Sequence, residues 1–286
     1  MEINPRQRAL RAARRLVPTP LRPKVRASAI RHGLIDPPPF QYPFRELIRD
    51  TPYPNYLWGT LCAAAVAATL RYERISVIEF GVAGGNGLVA LEDCARRAAA
   101  LSGVKIDVYG FDTGTGLPKP VDHRDLPQLW GEGFFPMDAD LLRRRLKDAR
   151  LFLGPVSETV HEFIESSPAP VGFVSFDLDM YSGTVDAFAA FEGGLDLVMP
   201  RVVCYFDDII AFSHGDFSGE RLAISEFNER HEMRKIWRIY GLRFVMDLQQ
   251  WWVEQMYMAH FFEHPKYNDF DGSNRIRELP LGGDQN

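Results

Sequence analysis

Residues 75–87 read ISVIEFGVAGGNG, a short strand pattern followed directly by a glycine-rich turn. The β-branched, apolar run ISVIEF predicts a buried strand. The next residues, 88–101, have the apolar spacing of a helix. A strand, a tight turn and a helix form the repeating unit of a parallel sheet, so this stretch predicts an α/β fold.

The same alternation continues along the chain. An Ala-rich helix, which we expect to run from Tyr56 to about Tyr72, precedes the first strand. Further strands are predicted at 106–111, 149–154, 171–177 and 201–207, with helices at 157–166 and 184–198. Strands separated by helices favour right-handed crossovers, so we predict a doubly wound, mostly parallel sheet covered on both faces.

The end of the chain has a different pattern. Residues 235–244 and 251–262 are aromatic-rich and separated by a turn, which predicts an antiparallel hairpin at the edge of the sheet. We divide the chain into a basic, proline-rich N-terminal extension (1–50), the α/β domain (51–262) and a tail (263–286).

Composition narrows the class of protein. The 286 residues are 46% hydrophobic and carry a net charge of −5, which supports a sizeable core and argues against nucleic-acid binding by charge alone. Cys62, Cys94 and Cys204 are far apart and in apolar segments, so we expect buried thiols in a reducing cytoplasm. No apolar run reaches the roughly 20 residues that span a bilayer.

The Arg-rich N-terminal extension is open to several interpretations. It is compatible with contact to a membrane surface or an acidic partner, and with an organellar transit peptide. We expect a solvated arm, because the segment has no sustained apolar face. The sequence leaves a homodimer open.

The first strand ends in Glu79, followed by Gly81, Gly84 and Gly85. Glycines let the chain turn sharply and let a ligand approach the backbone. The spacing is not GxGxxG, which weakens a nicotinamide-dependent oxidoreductase as an interpretation. An acid two residues before the first glycine is typical of S-adenosylmethionine sites, although an ordinary tight turn has the same appearance.

Asp112 ends the second strand, where an acid would accept hydrogen bonds from both ribose hydroxyls of a nucleoside. A turn or helix-cap aspartate is the alternative. The 26 residues 113–138 that follow are rich in Gly, Pro and aromatic residues, and we expect this "cover loop" to close over the site.

Four carboxylates follow two later strands: Asp177, Asp179, Asp207 and Asp208. Acids this close repel one another, and a divalent cation would relieve the repulsion. Oxygen-only ligands point to Mg²⁺. Helix capping by Asp179 and Asp208 is the alternative. If the site needs a general base, His123 and His214 are candidates, and we rank both below Asp177.

Five motifs, in this order, resemble the macrocin O-methyltransferase family over about residues 51–230. They are EFGVAGGNG (79–87), GFDTGTGLP (110–118), SFDLDMYSGTVDAF (175–188), YFDDI (205–209) and GERLAISEFNE (219–229). The chain departs from the family pattern at Gly114, Thr115, Leu178 and Ser182, around the acceptor pocket.

The resemblance implies a class I, S-adenosylmethionine-dependent and Mg²⁺-dependent O-methyltransferase that acts on a hydroxyl of a small-molecule acceptor, either a sugar or glycan or a secondary-metabolite-like natural product. The cofactor-binding residues would be Glu79, Gly81, Gly84, Gly85 and Asp112. The metal would be held by Asp177, Asp207 and Asp208, and the candidate catalytic residues are Asp177 and Asp179. The alternative is a non-catalytic S-adenosylmethionine-binding or scaffold protein with a decayed acceptor site.

Overall fold

A computed structural model describes residues 51–210, 214–243 and 250–269. The N-terminal extension and residues 270–286 of the tail lie outside the described residues. Within the described ranges, no helix is long and apolar enough to cross a membrane. The side chains of all three cysteines are buried.

The described residues form six α-helices and seven strands. The helices are α1 (Pro54–Thr69), α2 (Asn86–Ser102), α3 (Ala139–Arg145), α4 (Val156–Glu165), α5 (Tyr181–Ala187) and α6 (Gly219–Arg230). The strands are β1 (Arg74–Phe80), β2 (Lys105–Asp112), β3 (Arg150–Leu153), β4 (Val171–Phe176), β5 (Val198–Phe206), β6 (Arg234–Arg238) and β7 (Met256–Phe261).

All seven strands belong to one sheet, in the order β3-β2-β1-β4-β5-β7-β6. Strands β1 to β5 pair in parallel, whereas β7 is antiparallel to both β5 and β6. The predicted doubly wound, mostly parallel α/β sheet with a C-terminal antiparallel pair is therefore confirmed. The chain runs outward in one direction from β1 through β2 to β3 and then crosses back to β4 on the other side of β1. Ligands bind in such sheets at the point between β1 and β4 where the direction of the connections reverses.

Helix α1 packs closely on the centre of the sheet because its residues are small. Twelve of its 16 residues are buried, and it contacts both β4 and β5. A side chain at Gly59 would overlap the Phe173 ring of β4. This close approach positions Tyr56, in the first turn of α1, at the carboxyl end of β1.

A row of phenylalanines crosses the sheet at the carboxyl ends of four parallel strands. Phe111, Phe80, Phe176 and Phe206 are paired side by side in the strand register and are fully buried. Neighbouring ring centroids lie 4.7, 5.7 and 4.6 Å apart. The residues that follow them include Gly81, Asp112, Asp177 and Asp207, so this packed row fixes the positions of the strand tips.

The predicted helix over residues 184–198 is wrong beyond Ala187. Helix α5 ends at Ala187, two 3₁₀ turns follow (Phe188–Phe191 and Leu195–Leu197), and β5 already begins at Val198. Gly193 and Gly194 interrupt the segment, and glycine is a poor helix former. Similarly, residues 251–254 form a 3₁₀ turn rather than the start of the last strand.

Replacing Gly81 with alanine is expected to lower the free energy of unfolding by more than about 3 kcal/mol. Gly81 has φ +83°, and a Cβ there would overlap the backbone carbonyl oxygen of Asp177. Gly84→Ala is the matched control, since a Cβ at Gly84 meets no atom within 4 Å, and it should change stability by less than about 1 kcal/mol. Urea denaturation measures both, and equal effects would contradict the close approach of the strand tips.

Candidate functional site

Two adjoining cavities lie at the carboxyl ends of the parallel strands. The larger, of about 590 Å³, is bounded by the ends of β1, β2, β4 and β5 and by the cover loop. The smaller, of about 260 Å³, lies between the start of α1 and the glycine-rich turn after β1. Asp177 and Asp207 line both cavities, so the two spaces meet at these acids.

Glu79 forms the floor of the smaller cavity. Its side chain is buried, with 2% of its surface exposed, and its Oε1 accepts a hydrogen bond of 2.6 Å from the Tyr56 hydroxyl. The Ser175 hydroxyl donates to the Tyr56 oxygen over 3.2 Å. Glu79 Oε2 has no hydrogen-bond partner among the described residues. A buried oxygen without a partner is available to a donor on a ligand.

Burial raises the pKa of Glu79 from its ordinary value of 4.5 to about 8; the Tyr56 hydroxyl opposes this shift and the charge of Asp112 adds to it. A cationic ligand group beside Oε2 would favour the ionised form instead. The absence of a side chain at Gly87 preserves this arrangement, because a Cβ there would overlap Glu79 Oε1.

The glycine-rich turn presents the start of α2 to the smaller cavity. Gly85 is the N-cap residue with φ +83°, and no side chain caps this end of the helix. Gly85, Asn86 and Gly87 line the cavity. The first backbone N–H groups of a 17-residue helix therefore face it, and such groups favour a negatively charged ligand group. Of the predicted glycines, Gly84 and Gly85 line the smaller cavity, whereas Gly81 lines the larger one.

Asp112 lies at the larger cavity and organises the turn. Its Oδ2 accepts hydrogen bonds from the backbone N–H groups of Val82 (3.0 Å) and Ala83 (2.8 Å). Its Oδ1 accepts from the N–H of Gly114 (2.7 Å). The carboxylate therefore ties the tip of β2 to the tip of β1. Oδ1, with one donor, keeps acceptor capacity for a further hydrogen bond, whereas Oδ2 already accepts two. Contact with a ribose stays a prediction.

Three acids form a compact "carboxylate triad": Asp177, Asp179 and Asp208. One oxygen from each lies within 4.8 Å of the others. The backbone N–H of Asp179 donates to Asp208 Oδ2 over 3.1 Å, and Asp179 has φ +63°. Neither Asp179 nor Asp208 caps a helix with its side chain, so helix capping does not explain these acids.

Burial and mutual repulsion raise the pKa values of the carboxylate triad. The pKa of Asp179 rises to about 7, through burial and the charge of Asp207. The pKa of Asp208 rises to about 8, through burial and then its acidic neighbours. The pKa of Asp177 is raised well above its usual range, again first by burial. Without a cation, Asp177 and Asp208 favour their protonated forms at neutral pH, and the protonated form of Asp179 is also substantially populated.

The triad differs by one member from the predicted metal ligands Asp177, Asp207 and Asp208. Asp207 lines both cavities, but its Oδ1 accepts a hydrogen bond from the Tyr205 hydroxyl. Its backbone oxygen accepts from the Gln255 side-chain amide. Asp179, predicted only as a catalytic candidate, occupies the corresponding place in the triad.

Sequence reasoning missed Glu220 and Tyr56. Glu220 lies in the first turn of α6 and is 1% exposed; its pKa is raised well above the usual range by burial, and then by Asp208, Asp177 and Asp207. An acidic residue at the start of a helix is usually exposed to solvent and interacts favourably with the helix dipole, so the position of Glu220 in the sequence does not indicate that it is buried. Tyr56 reaches Glu79 across 23 positions of sequence, so no local pattern reveals the pair.

The cover loop is anchored at one point and borders the larger cavity with the rest of its length. Asp125 is buried, and its carboxylate accepts from the N–H groups of Val121 and Ser182, each over 2.8 Å. Arg124 donates to the Tyr181 hydroxyl over 3.2 Å. Several residues of the loop line the cavity, among them Leu117, Lys119, Trp130, Phe134 and Phe135. Neither predicted alternative base, His123 or His214, lines the two cavities.

Comparisons with known proteins identify the fold. A crystal structure of CalS11, a calicheamicin methyltransferase, matches with a TM-score of 0.51 and 18% sequence identity over 86% of this chain and 93% of the other. An apo structure of CalS11, described as a TDP-rhamnose 3'-O-methyltransferase of calicheamicin biosynthesis, matches with a TM-score of 0.42 and 17% identity over 86% and 95% of the two chains. No protein-family model matches the chain, and no curated protein does.

Glu79→Gln is expected to remove a pH-dependent destabilisation. Between about pH 4.5 and pH 8, Glu79 keeps its proton in the native protein but has released it in the unfolded chain. The stability that Glu79 contributes is therefore complete below about pH 4.5 and is lost as the pH rises to about 8. Glutamine keeps the acceptor for Tyr56 without the charge. Above pH 8 the free energy of unfolding of the variant should exceed that of the wild type by on the order of a few kcal/mol. Denaturation at pH 5 and pH 9 measures the difference, and parallel pH profiles for the two proteins would contradict it.

Proposed function

We propose that this protein is an S-adenosylmethionine-dependent O-methyltransferase whose acceptor hydroxyl lies beside a Mg²⁺ ion. One observation carries the proposal: a cavity suited to a zwitterion and a cavity containing a carboxylate triad meet at Asp177 and Asp207. The resemblance of the five motifs to the macrocin O-methyltransferase family supports it. The structural likeness to CalS11 supports the fold that this function needs.

The smaller cavity suits the amino-acid end of S-adenosylmethionine. The ammonium group would donate to the unpartnered Oε2 of Glu79, and the carboxylate would accept from the N–H groups at the start of α2. The sulfonium, which is positively charged, would then lie near Asp177, where the cavities meet. The adenosine would extend into the larger cavity past Asp112.

The carboxylate triad suits Mg²⁺ by charge and by ligand type. Magnesium prefers oxygen ligands, and Asp177, Asp179 and Asp208 offer one each within 4.8 Å of one another. Their raised pKa values come from burial and from neighbouring acids, and a cation would offset both. When bound, the ion would supply a positive charge that orients the acceptor hydroxyl and lowers its pKa.

The proposed transfer is an in-line displacement. A lone pair of the acceptor oxygen forms the new bond to the methyl carbon, and the carbon–sulfur bond breaks with its electron pair staying on sulfur. The product is S-adenosylhomocysteine, and the hydroxyl proton passes to Asp177 or Asp179. The chain contributes mainly by positioning the two reactants, while the cover loop limits the access of water.

Asp208→Asn is expected to separate metal binding from cofactor binding. Asparagine keeps the shape of the side chain but removes one charge of the triad, so affinity for Mg²⁺ or Mn²⁺ should fall by about tenfold or more. Asp186→Asn is the matched control for metal affinity, since Asp186 lines the same cavity outside the triad. Calorimetry with the metal, and separately with S-adenosylhomocysteine, measures both affinities.

Affinity for S-adenosylhomocysteine should survive in both variants, and methyl transfer should fall in Asp208→Asn. Equal metal affinity in the two variants would remove the triad as the metal site. Absence of S-adenosylhomocysteine binding to the wild type would refute the proposed function. Tight binding of that ligand without any metal affinity would favour the scaffold alternative.

A further inference from the structure

Part of the wall of the larger cavity is aromatic. Trp130, Phe134 and Phe135 of the cover loop line it, and the centroids of the Trp130 and Phe135 rings lie 6.4 Å apart. The two phenylalanines are 49% and 50% exposed. Phe135 has φ +60°, a conformation that costs about 1 kcal/mol or more in a bulky residue. Half-exposed rings at a cavity mouth gain free energy when an apolar ligand covers them.

The indole of Trp130 also has an unused polar group. Its Nε1–H is buried and has no acceptor among the described residues. A buried donor of this kind is satisfied when a ligand oxygen reaches it. Trp130 therefore contributes a flat apolar ring to the cavity wall and carries one unpartnered donor, a combination that suits an oxygen-substituted ring.

The charge of the cavity argues against a negatively charged acceptor, such as a nucleoside diphosphate sugar. The described residues that line it include six aspartates but only one lysine, Lys119. The sulfonium and one Mg²⁺ would offset part of this negative charge. A nucleoside diphosphate sugar would bring two further negative charges, and phosphates are usually met by several Arg, Lys or backbone N–H groups. An uncharged acceptor fits the cavity better.

We infer that the acceptor is an uncharged aromatic compound with two adjacent hydroxyl groups, a catechol; this inference rests on the proposed function. The ring would lie against Trp130 and the phenylalanines, and the hydroxyl pair would face the carboxylate triad. A phenol, with a pKa of about 10 as in tyrosine, gives up its proton far more readily than an alcohol. One phenolic oxygen takes the methyl group, and its proton passes to a carboxylate of the triad, as in the proposed transfer.

Binding to the full-length chain tests the acceptor class without relying on turnover. The protein, saturated with S-adenosylhomocysteine and Mg²⁺, is titrated in a calorimeter with catechol, with its 1,3-isomer resorcinol, with methyl rhamnoside and with TDP-rhamnose. Catechol should bind saturably and about tenfold more tightly than each of the others. Methyl transfer from labelled S-adenosylmethionine should follow the same order.

Two cover-loop variants test the aromatic wall. Trp130→Leu should weaken catechol binding by about fivefold or more, because it removes both the stacking surface and the donor. Its affinity for S-adenosylhomocysteine should remain within about threefold of the wild type, which also reports that the variant folds. Leu129→Ala is the control, since Leu129 belongs to the same loop but does not line the cavity. Phe134→Ala is a second test, should Trp130→Leu fail to fold.

The outcomes separate the two proposals. If the wild type does not bind S-adenosylhomocysteine, the proposed function fails and the inference fails with it. If that ligand binds but catechol does not, or if TDP-rhamnose or methyl rhamnoside binds more tightly than catechol, the inference alone is overturned. Catechol affinity that is equal in the wild type and the folded wall variants would also overturn it.

Discussion

The burial of several carboxylates at the tips of neighbouring strands is the constraint on which this site depends. Burial raises the pKa values of Glu79, Asp179 and Asp208 to about 8, 7 and 8, so without cations the ionised forms are unfavourable. Protonation of these carboxylates would remove their mutual repulsion, but it would also leave the site without a base to accept the hydroxyl proton. The proposed cationic ligands, an ammonium, a sulfonium and Mg²⁺, would relieve it while keeping the carboxylates ionised. Ligand binding and protonation are therefore expected to compete here.

Packing of the sheet brings these acids together. The fully buried row of phenylalanines holds β2, β1, β4 and β5 in register, and the side chains of the site begin one residue further on. The contact between Gly81 and the Asp177 backbone leaves no room for a side chain. Rigid strand tips suit a reaction in which positioning supplies much of the catalysis.

Much of the fold was predictable because its signals are local. Continuous apolar runs mark the central strands, and the glycines after Glu79 mark the turn before α2. What the sequence did not reveal depends on distant contacts. The Tyr56 hydroxyl bonds to Glu79 only because α1 packs closely on the sheet. The grouping of Asp179, rather than Asp207, with Asp177 and Asp208 depends on the local backbone and on the Tyr205 hydroxyl that donates to Asp207, a choice between nearby acids that residue type alone cannot make.

A crystal structure of the full-length protein with S-adenosylhomocysteine and Mn²⁺ is the most direct measurement of the site. We expect anomalous density for one ion among Asp177, Asp179 and Asp208. We also expect the amino group of the ligand within hydrogen-bonding distance of Glu79 Oε2, with its carboxylate at the start of α2. An ion bound elsewhere, or a ligand whose amino-acid end lies outside the smaller cavity, would contradict the proposed arrangement.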